Sequence, residues 1–239
     1  MADALLEIDG VTKRFGGFLA LDRVSLQVRA GERLGLIGPN GSGKTTLINC
    51  VSGALPTDGG RILFEGRDIT RLPAHQRTRL GIVRSFQIPK PFVSMTVLEN
   101  LGIPLEYAAP PRSHGVAAGA LDILKMIGLD AKAHLRPAGL TQIEMRKLEL
   151  ARAMAARPKL LVSDEAMAGL SSAEVDDILA ILFRLNEQGI TIIMIEHIMR
   201  AVMRFSERVV VLDAGNRIAE GTPAEIVRNP AVEKAYLGE

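Results

Sequence analysis

The chain has 239 residues, 47% of them hydrophobic, enough to bury a sizeable core within one domain. Its 29 Lys and Arg against 27 Asp and Glu leave a formal net charge of +2, a field too weak to gather polyanions, so nucleic acid is not expected as a partner. The only cysteine, Cys50, excludes an intrachain disulfide and a cysteine-based metal cluster, and it reads as a small buried residue.

At the N-terminus, MADALLEIDG carries Asp3 and Glu7 where a secretory signal needs a basic segment and then a long apolar one, so the chain is expected to stay in the cytoplasm. Residues 4–30 and 61–65 read as shorter strands joined by turns, a small antiparallel layer. Residues 34–37 read as a buried strand, and the next eight, Gly38-Pro39-Asn40-Gly41-Ser42-Gly43-Lys44-Thr45, fit G-x-x-x-x-G-K-[ST] between that strand and a helix. Glycines at these places let successive backbone N–H groups converge on one point, and the helix that follows adds the positive end of its dipole. That nest suits nucleotide phosphates. Lys44 is expected to reach the β- and γ-phosphates, Thr45 to ligate Mg²⁺, and Thr46 to donate to the α-phosphate. A phosphate loop by itself leaves kinases, GTPases, helicases and transport ATPases open.

From about 95 to 156 the pattern is mostly helical and carries the link APPRSHG at 109–115, so it reads as an inserted helical lobe. Residues 160–162 form a buried strand that ends in Ser163-Asp164-Glu165. Paired acids at a strand end downstream of a phosphate loop place one carboxylate near Mg²⁺ and the next near the γ-phosphate. Asp164 is expected to hold the metal through water, and Glu165 to act as general base on the attacking water. Val175, Ile178, Leu182 and Leu185 repeat at helical spacing behind the capping pattern Ser171-x-x-Glu174, and that helix closes at Gly189. Residues 190–195 and 209–212 are two more buried strands, giving an α/β domain with a largely parallel sheet. No apolar run approaches the ~20 residues of a membrane span. His197 follows the strand 190–195 and can point into the same crevice, where it could sense the γ-phosphate and orient the water; His75, His114 and His134 read as ordinary surface residues.

GPNGSGKTT, Gln87 in SFQIPKPF, LTQIEMRKLELARAM, LLVSDE and MIEHIM stand in the order of the full motif set of ATP-binding cassette (ABC) ATPases, and over essentially its whole length the chain resembles that family. More narrowly, TTLINCVSG, GIVRSFQIPKPF, MTVLENL, AGLS, IEHIMRAVM and the tail EGTPAEIVRNPAVEKAYLGE make it similar to the ATP-binding proteins of branched-chain amino acid transporters. The resemblance implies a P-loop NTPase (RecA-like) core of about 1–94 and 157–239 with an N-terminal antiparallel β layer and a helical subdomain of about 95–156, all within one domain over 1–239. It implies ATP and Mg²⁺ as ligands, adenine stacking on Phe15, and Gln87 touching Mg²⁺ and relaying nucleotide state. The partners implied are a second cassette, two transmembrane permease subunits and an extracytoplasmic solute-binding protein, with the chain peripheral on the cytoplasmic face of the cell membrane. Related importers for urea, amides or other small solutes and an exporter ATPase of lipopolysaccharide type share much of this pattern, and a weakly hydrolysing regulatory module is a further alternative, opposed by the presence of both Glu165 and His197.

One motif departs from the family. Where Leu-Ser-Gly-Gly-Gln is usual, the chain has Leu140-Thr141-Gln142-Ile143-Glu144. In the family this segment caps the γ-phosphate held by the other subunit. Thr141 keeps a hydroxyl, but Cβ atoms at Gln142 and Ile143 stand where close backbone approach favours glycine. The expectation is a heterodimer, in which ATP in this chain's own loop is hydrolysed against an intact segment from a different partner. Ser171 and Ile198 are milder departures, and Ser163 is a polar residue in the acid-bearing strand with no evident reason. The segment 88–93, Ile-Pro-Lys-Pro-Phe-Val, is the candidate groove for a helix of the membrane subunit.

Overall fold

A computed structural model describes residues 4–85, 89–108 and 116–237. Two sheets organise it. The first is antiparallel in the order β2-β1-β4-β5, built from β1 (Ala4–Phe15), β2 (Phe18–Arg29), β4 (Gly59–Phe64) and β5 (Arg67–Asp68). The antiparallel layer is as expected from the sequence, but β1 and β2 are each 12 residues long rather than short. Register shifts between Ile8 and Val11 and again between Val11 and Lys13 explain the difference. Bulges interrupt strict alternation, so one long strand reads as pieces.

The second sheet runs β10-β9-β3-β8-β7-β6. Its strands β3 (Arg33–Ile37), β6 (Ile82–Ser85), β7 (Leu160–Asp164), β8 (Thr191–Ile195) and β9 (Arg208–Asp213) are parallel, and β10 (Asn216–Gly221) closes the edge antiparallel to β9. Every residue of β7 and β8 is buried, the mark of a parallel sheet covered on both faces, which is why these segments are unbroken apolar runs. Successive residues then serve opposite cores. Leu160 and Val162 join Leu34, Leu36, Leu47 and Ile48 in a cluster toward the antiparallel sheet, whereas Leu161 joins Ile192, Met194 and the helices on the far side. Helix α1 (Lys44–Ser52), with Leu47, Ile48 and Val51 buried, belongs to the first cluster together with β1, β2 and β4.

Helix α2 (Ala74–Leu80) precedes β6, and between β6 and β7 come α3 (Val97–Tyr107), α4 (Val116–Ile127) and α5 (Gln142–Ala155), with two short 3-10 turns before α5. Their apolar faces, with Leu101, Leu124 and Leu150 fully buried, join the second cluster. The remaining helices are α6 (Ser172–Glu187), α7 (Met199–Phe205), α8 (Pro223–Val227) and α9 (Pro230–Leu237). Capping boxes start four helices: Thr96 with Glu99, Thr141 with Glu144, Ser171 with Glu174, and Thr222 with Glu225. Each satisfies two backbone donors at a helix start. Helix α6 buries Val175, Ile178, Leu179, Ile181, Leu182 and Leu185, each contributing roughly 1.5–3 kcal/mol on leaving water. The link 109–115, with His114, lies outside the described residues.

Candidate nucleotide site

The loop between β3 and α1 is shaped by contacts only glycine permits. Gly38 has φ +149°, and a Cβ there would lie 2.0 Å from the Leu212 carbonyl oxygen on β9. Gly43, at φ +103°, lies so close to β2 that a Cβ would come within 2.8 Å of the Ala20 carbonyl oxygen. The Gly215 N–H, in the turn after β9, donates to the Ser42 carbonyl at 3.1 Å and braces the loop from outside. Inside it, the Lys44 ammonium donates to the carbonyls of Gly38 at 2.7 Å and Pro39 at 2.9 Å, and to the Ser42 hydroxyl at 3.3 Å. Burial lowers the Lys44 pKa from its ordinary value, while the charges of Glu165 and Asp164 pull the other way. Asn40 and Gly41 are exposed at the loop tip, and Thr45 and Thr46 lie on the first turn of α1.

Asp164 ends β7 with only 5% of its surface exposed, and it is paired with Arg84 of β6, whose Nε donates to it at 3.1 Å. Arg84 also donates from Nη1 to the Asn49 side chain on α1 at 2.6 Å. The network Asn49–Arg84–Asp164 therefore spans three elements around the loop. Glu165 adopts φ +48°, a left-handed conformation that costs a non-glycine residue about 1–2 kcal/mol, as strained residues at functional sites do. Its N–H donates to the Ile195 carbonyl at 2.8 Å, extending the β7–β8 ladder by one step. Its carboxylate Oε1 lies 3.1 Å from His197 Nε2. The two side chains that the sequence marked at separate strand ends are thus in direct contact.

Between Ile195 and His197 sits Glu196, 3% exposed, accepting a hydrogen bond from the Met167 N–H at 2.8 Å. Burial, with the Glu165 and Asp164 charges adding to it, pushes this carboxyl up to about 7 against the pull of the Met167 and His197 backbone donors. At the C-terminal end of the chain, partial desolvation raises the pKa of the half-exposed Tyr236 phenol on α9, and a hydrogen bond from the Gly38 backbone pulls the other way. Sequence reasoning missed Arg84, Asn49, Glu196 and Tyr236. Glu196 alone gave a usable signal, an acid directly following five buried strand residues.

Phe15 is at the tip of the β1–β2 hairpin, opposite Phe18 in register and 47% exposed, with the Lys13 ammonium 5.7 Å from its ring centre. Gln87 lies outside the described residues. Leu140 and Ile143 pack against the helical core, and Thr141 caps α5 by accepting the Glu144 N–H at 3.4 Å. The Gln142 side chain is directed toward Gly169, where a Cβ would lie 2.8 Å from its Nε2. The Ser163 hydroxyl is buried without a hydrogen-bond partner among the described residues. His75 and His134 are on the surface, as expected.

Oxygen donors from Thr45 and Asp164 suit Mg²⁺. Among the described residues no group of three or more His, Cys, Asp or Glu side chains could hold a metal alone. A Mg²⁺ ion that arrives on nucleotide phosphates keeps several waters and needs only one or two protein oxygens.

Comparison with known proteins agrees with this geometry. The family described as ABC transporter matches residues 21–168, and the one described as branched-chain amino acid ATP-binding cassette transporter matches residues 216–239. The chain is 39% identical, over the whole of both chains, to the high-affinity branched-chain amino acid transport ATP-binding protein BraF of Pseudomonas aeruginosa. It is likewise 39% identical over the whole of both to LivG of Escherichia coli, which carries the same description. Among solved structures, a nucleotide-free ATP-binding cassette from an ABC transporter superposes with a TM-score of 0.91 at 35% identity, covering 99% of this chain and 100% of that one. The ADP conformation of the cassette MJ1267 gives 0.90 at 35% identity, again covering 99% and 100%. With its phosphate loop, paired acids and histidine on this fold, the chain belongs to the ATP-hydrolysing cassettes of the ABC transporter family, in its branched-chain amino acid branch.

Proposed function

We propose that this chain is the ATPase subunit of an importer for branched-chain amino acids or a closely related small polar solute. The observation that carries the hydrolytic part is the 3.1 Å contact between Glu165 and His197 at adjacent strand ends, beside the loop that holds Lys44. In this reading one domain spans 1–239, with a core of about 1–94 and 157–239 and a helical subdomain of about 95–156. Backbone amides of residues 38–46 receive the phosphates, Lys44 leaves its loop carbonyls for the β- and γ-oxygens, and Thr46 donates to the α-phosphate. Phe15 stacks on adenine. Thr45, Gln87 and Asp164 would hold Mg²⁺, which when bound would supply positive charge against the phosphates. Glu165 accepts the proton of the attacking water, and His197 fixes both the carboxylate and that water.

Leu140, Thr141 and Gln142 meet ATP bound to a second, different cassette. Thr141 uses an oxygen lone pair in its cap but retains its O–H for a phosphate. Closure on ATP and release on hydrolysis then drive two membrane permease subunits, served by an extracytoplasmic solute-binding protein, with the chain on the cytoplasmic face. The permease contact fits a groove of about 510 Å³ whose lining includes Phe92, Ile103, Pro104, Tyr107, Arg79 and Arg152. Arg152 stacks 5.2 Å from the Phe92 ring centre and donates to the Lys90 carbonyl, while buried Asn100 pins the same segment by accepting the Phe92 N–H at 2.8 Å. The exporter and regulatory readings are not favoured, because full-length relatives are named for branched-chain amino acid transport and both Glu165 and His197 are present and in contact.

The test is uptake of radiolabelled leucine, isoleucine and valine by the reconstituted transporter. Glu165→Gln is expected to lower ATP turnover by about 10²–10⁴ with MgATP affinity retained. Uptake should stop with it. Undiminished turnover would overturn the hydrolytic assignment, and turnover without uptake of any of the three solutes would overturn the substrate assignment.

A further inference from the structure

The segment 166–171, between β7 and α6, is held by side chains from the end of β8 and the start of α5. Glu196 takes the Met167 N–H at 2.8 Å. One residue further, the Ala168 carbonyl accepts from Arg146 Nη2 on α5 at 3.2 Å. The next residue, Gly169 at φ +79°, lies directly against the Gln142 side chain at the first turn of α5. Three consecutive residues thus tie the end of β8 to the start of α5.

The β8 end of this tie is the nucleotide site itself. Glu196 is flanked by Ile195, whose carbonyl accepts the Glu165 N–H at 2.8 Å, and by His197, whose ring lies 3.1 Å from the Glu165 carboxylate. The α5 end carries Leu140, Thr141 and Gln142. Burying a carboxyl here, with Asp164 and Glu165 nearby, is unfavourable enough to raise it to about 7, so stability alone gives no reason for an acid at this position. Its carboxylate accepts from the His197 backbone as well as from the Met167 N–H, and the Met167 bond locates the segment that follows Glu165 in the chain.

We propose that Glu196 is a positioning residue: by clamping Met167 it sets Glu165 and His197 in one fixed geometry with the start of α5, the surface that meets the partner cassette's ATP. Arg146 and Gln142 complete the clamp from the α5 side, and the glutamine at 142, where the family has glycine, is fitted to Gly169 within the same chain. This rests on the hydrolytic reading of Glu165 given above. In this role Glu196 acts through Glu165 and His197 rather than on the nucleotide itself.

The experiment uses the assembled transporter and reads kcat and KM for MgATP, with hydrogen exchange at the Met167 amide. Glu196→Leu keeps the volume and removes the acceptor. It is expected to lower kcat by about ten- to a hundredfold, the worth of a hydrogen bond to a charged group, with KM within about twofold and faster exchange at Met167. Glu196→Gln keeps an acceptor oxygen and should recover most of kcat. Arg146→Met, from the opposite end, should lower kcat with KM held, and it decides the matter if the leucine variant does not fold. Parent kcat in Glu196→Leu, a matching loss in Glu196→Gln, or unchanged Met167 exchange would overturn the clamp. Glu165→Gln is run beside them. If it still turns over, the hydrolytic reading is what fails, whereas an inactive Glu165→Gln with an unaffected Glu196→Leu removes the clamp alone.

Discussion

Arg77 is the largest fully buried side chain, and its removal is expected to cost the chain much of its stability without touching the nucleotide. The guanidinium donates to four backbone carbonyls: Cys50 at 2.6 Å, Val51 at 2.9 Å, Leu72 at 2.8 Å and Thr70 at 2.9 Å. Two of these belong to the last turn of α1, where carbonyls lack helical partners and the dipole favours a cation. Desolvation lowers the Arg77 pKa, yet a guanidinium stays charged at any working pH. In Arg77→Met, four carbonyls lose the guanidinium at roughly 1 kcal/mol each, although Cys50 keeps the Gly53 N–H at 3.3 Å; with no charge buried either, the net loss is about 3 kcal/mol. With a urea m-value of about 3 kcal/mol/M, the unfolding midpoint should fall by about 1 M with m unchanged. Because Leu47, Ile48 and Val51 still anchor α1 in the core, the MgATP Kd of the folded variant should stay within about threefold. A midpoint shift below about 0.2 M, or a selective loss of MgATP affinity, would refute this reasoning.

Other expectations concern the loop and the buried acid. Gly38→Ala should lose roughly 3 kcal/mol or more and fail to bind MgATP in a titration, because its Cβ would meet the Leu212 carbonyl at 2.0 Å. Gly41→Ala, with φ +80° and open space around it, should lose only about 1–2 kcal/mol; equal losses in denaturant unfolding would remove the argument from close approach. Glu196 is raised from 4.5 to about 7 on folding, so the folded chain binds more protons between those values and loses stability as pH rises through that window. Glu196→Gln has no such group. Its stability relative to the parent should therefore climb from about pH 4.5 to about pH 7, by on the order of 3 kcal/mol, and be flat above, whereas parallel pH curves would show that the carboxyl is not perturbed.

Most of the sheet and the phosphate loop were legible because they depend on local pattern. A strand, a glycine-spaced loop and Lys44-Thr45 are contiguous, and the unbroken apolar runs of β7 and β8 follow from burial on both faces. The lengths of β1 and β2 were obscured by bulges, whose extra residues shift alternation without changing composition. The supports of the site were harder to see. Arg84 lies 80 residues before Asp164 and reaches it only because β6 and β7 pair in parallel register, Arg84 opposite Val162. Arg77 lies in a short polar helix, and its charge is taken up by carbonyls rather than by an acid, so no charge pattern marks it. Glu196 and Met167 are 29 residues apart and meet only because β7 and β8 are neighbours.

The loop's grip on a triphosphate is tested most directly by calorimetric titration of MgATP into the parent chain and Lys44→Met, which keeps the bulk of the side chain. Removing one buried, charge-assisted contact to the β- and γ-phosphates should weaken MgATP binding by about a hundredfold, roughly 3 kcal/mol, while AMP, which lacks those phosphates, binds both proteins alike. Equal MgATP affinity in parent and variant would contradict a phosphate-binding role for Lys44, and with it the nucleotide site at the end of β3.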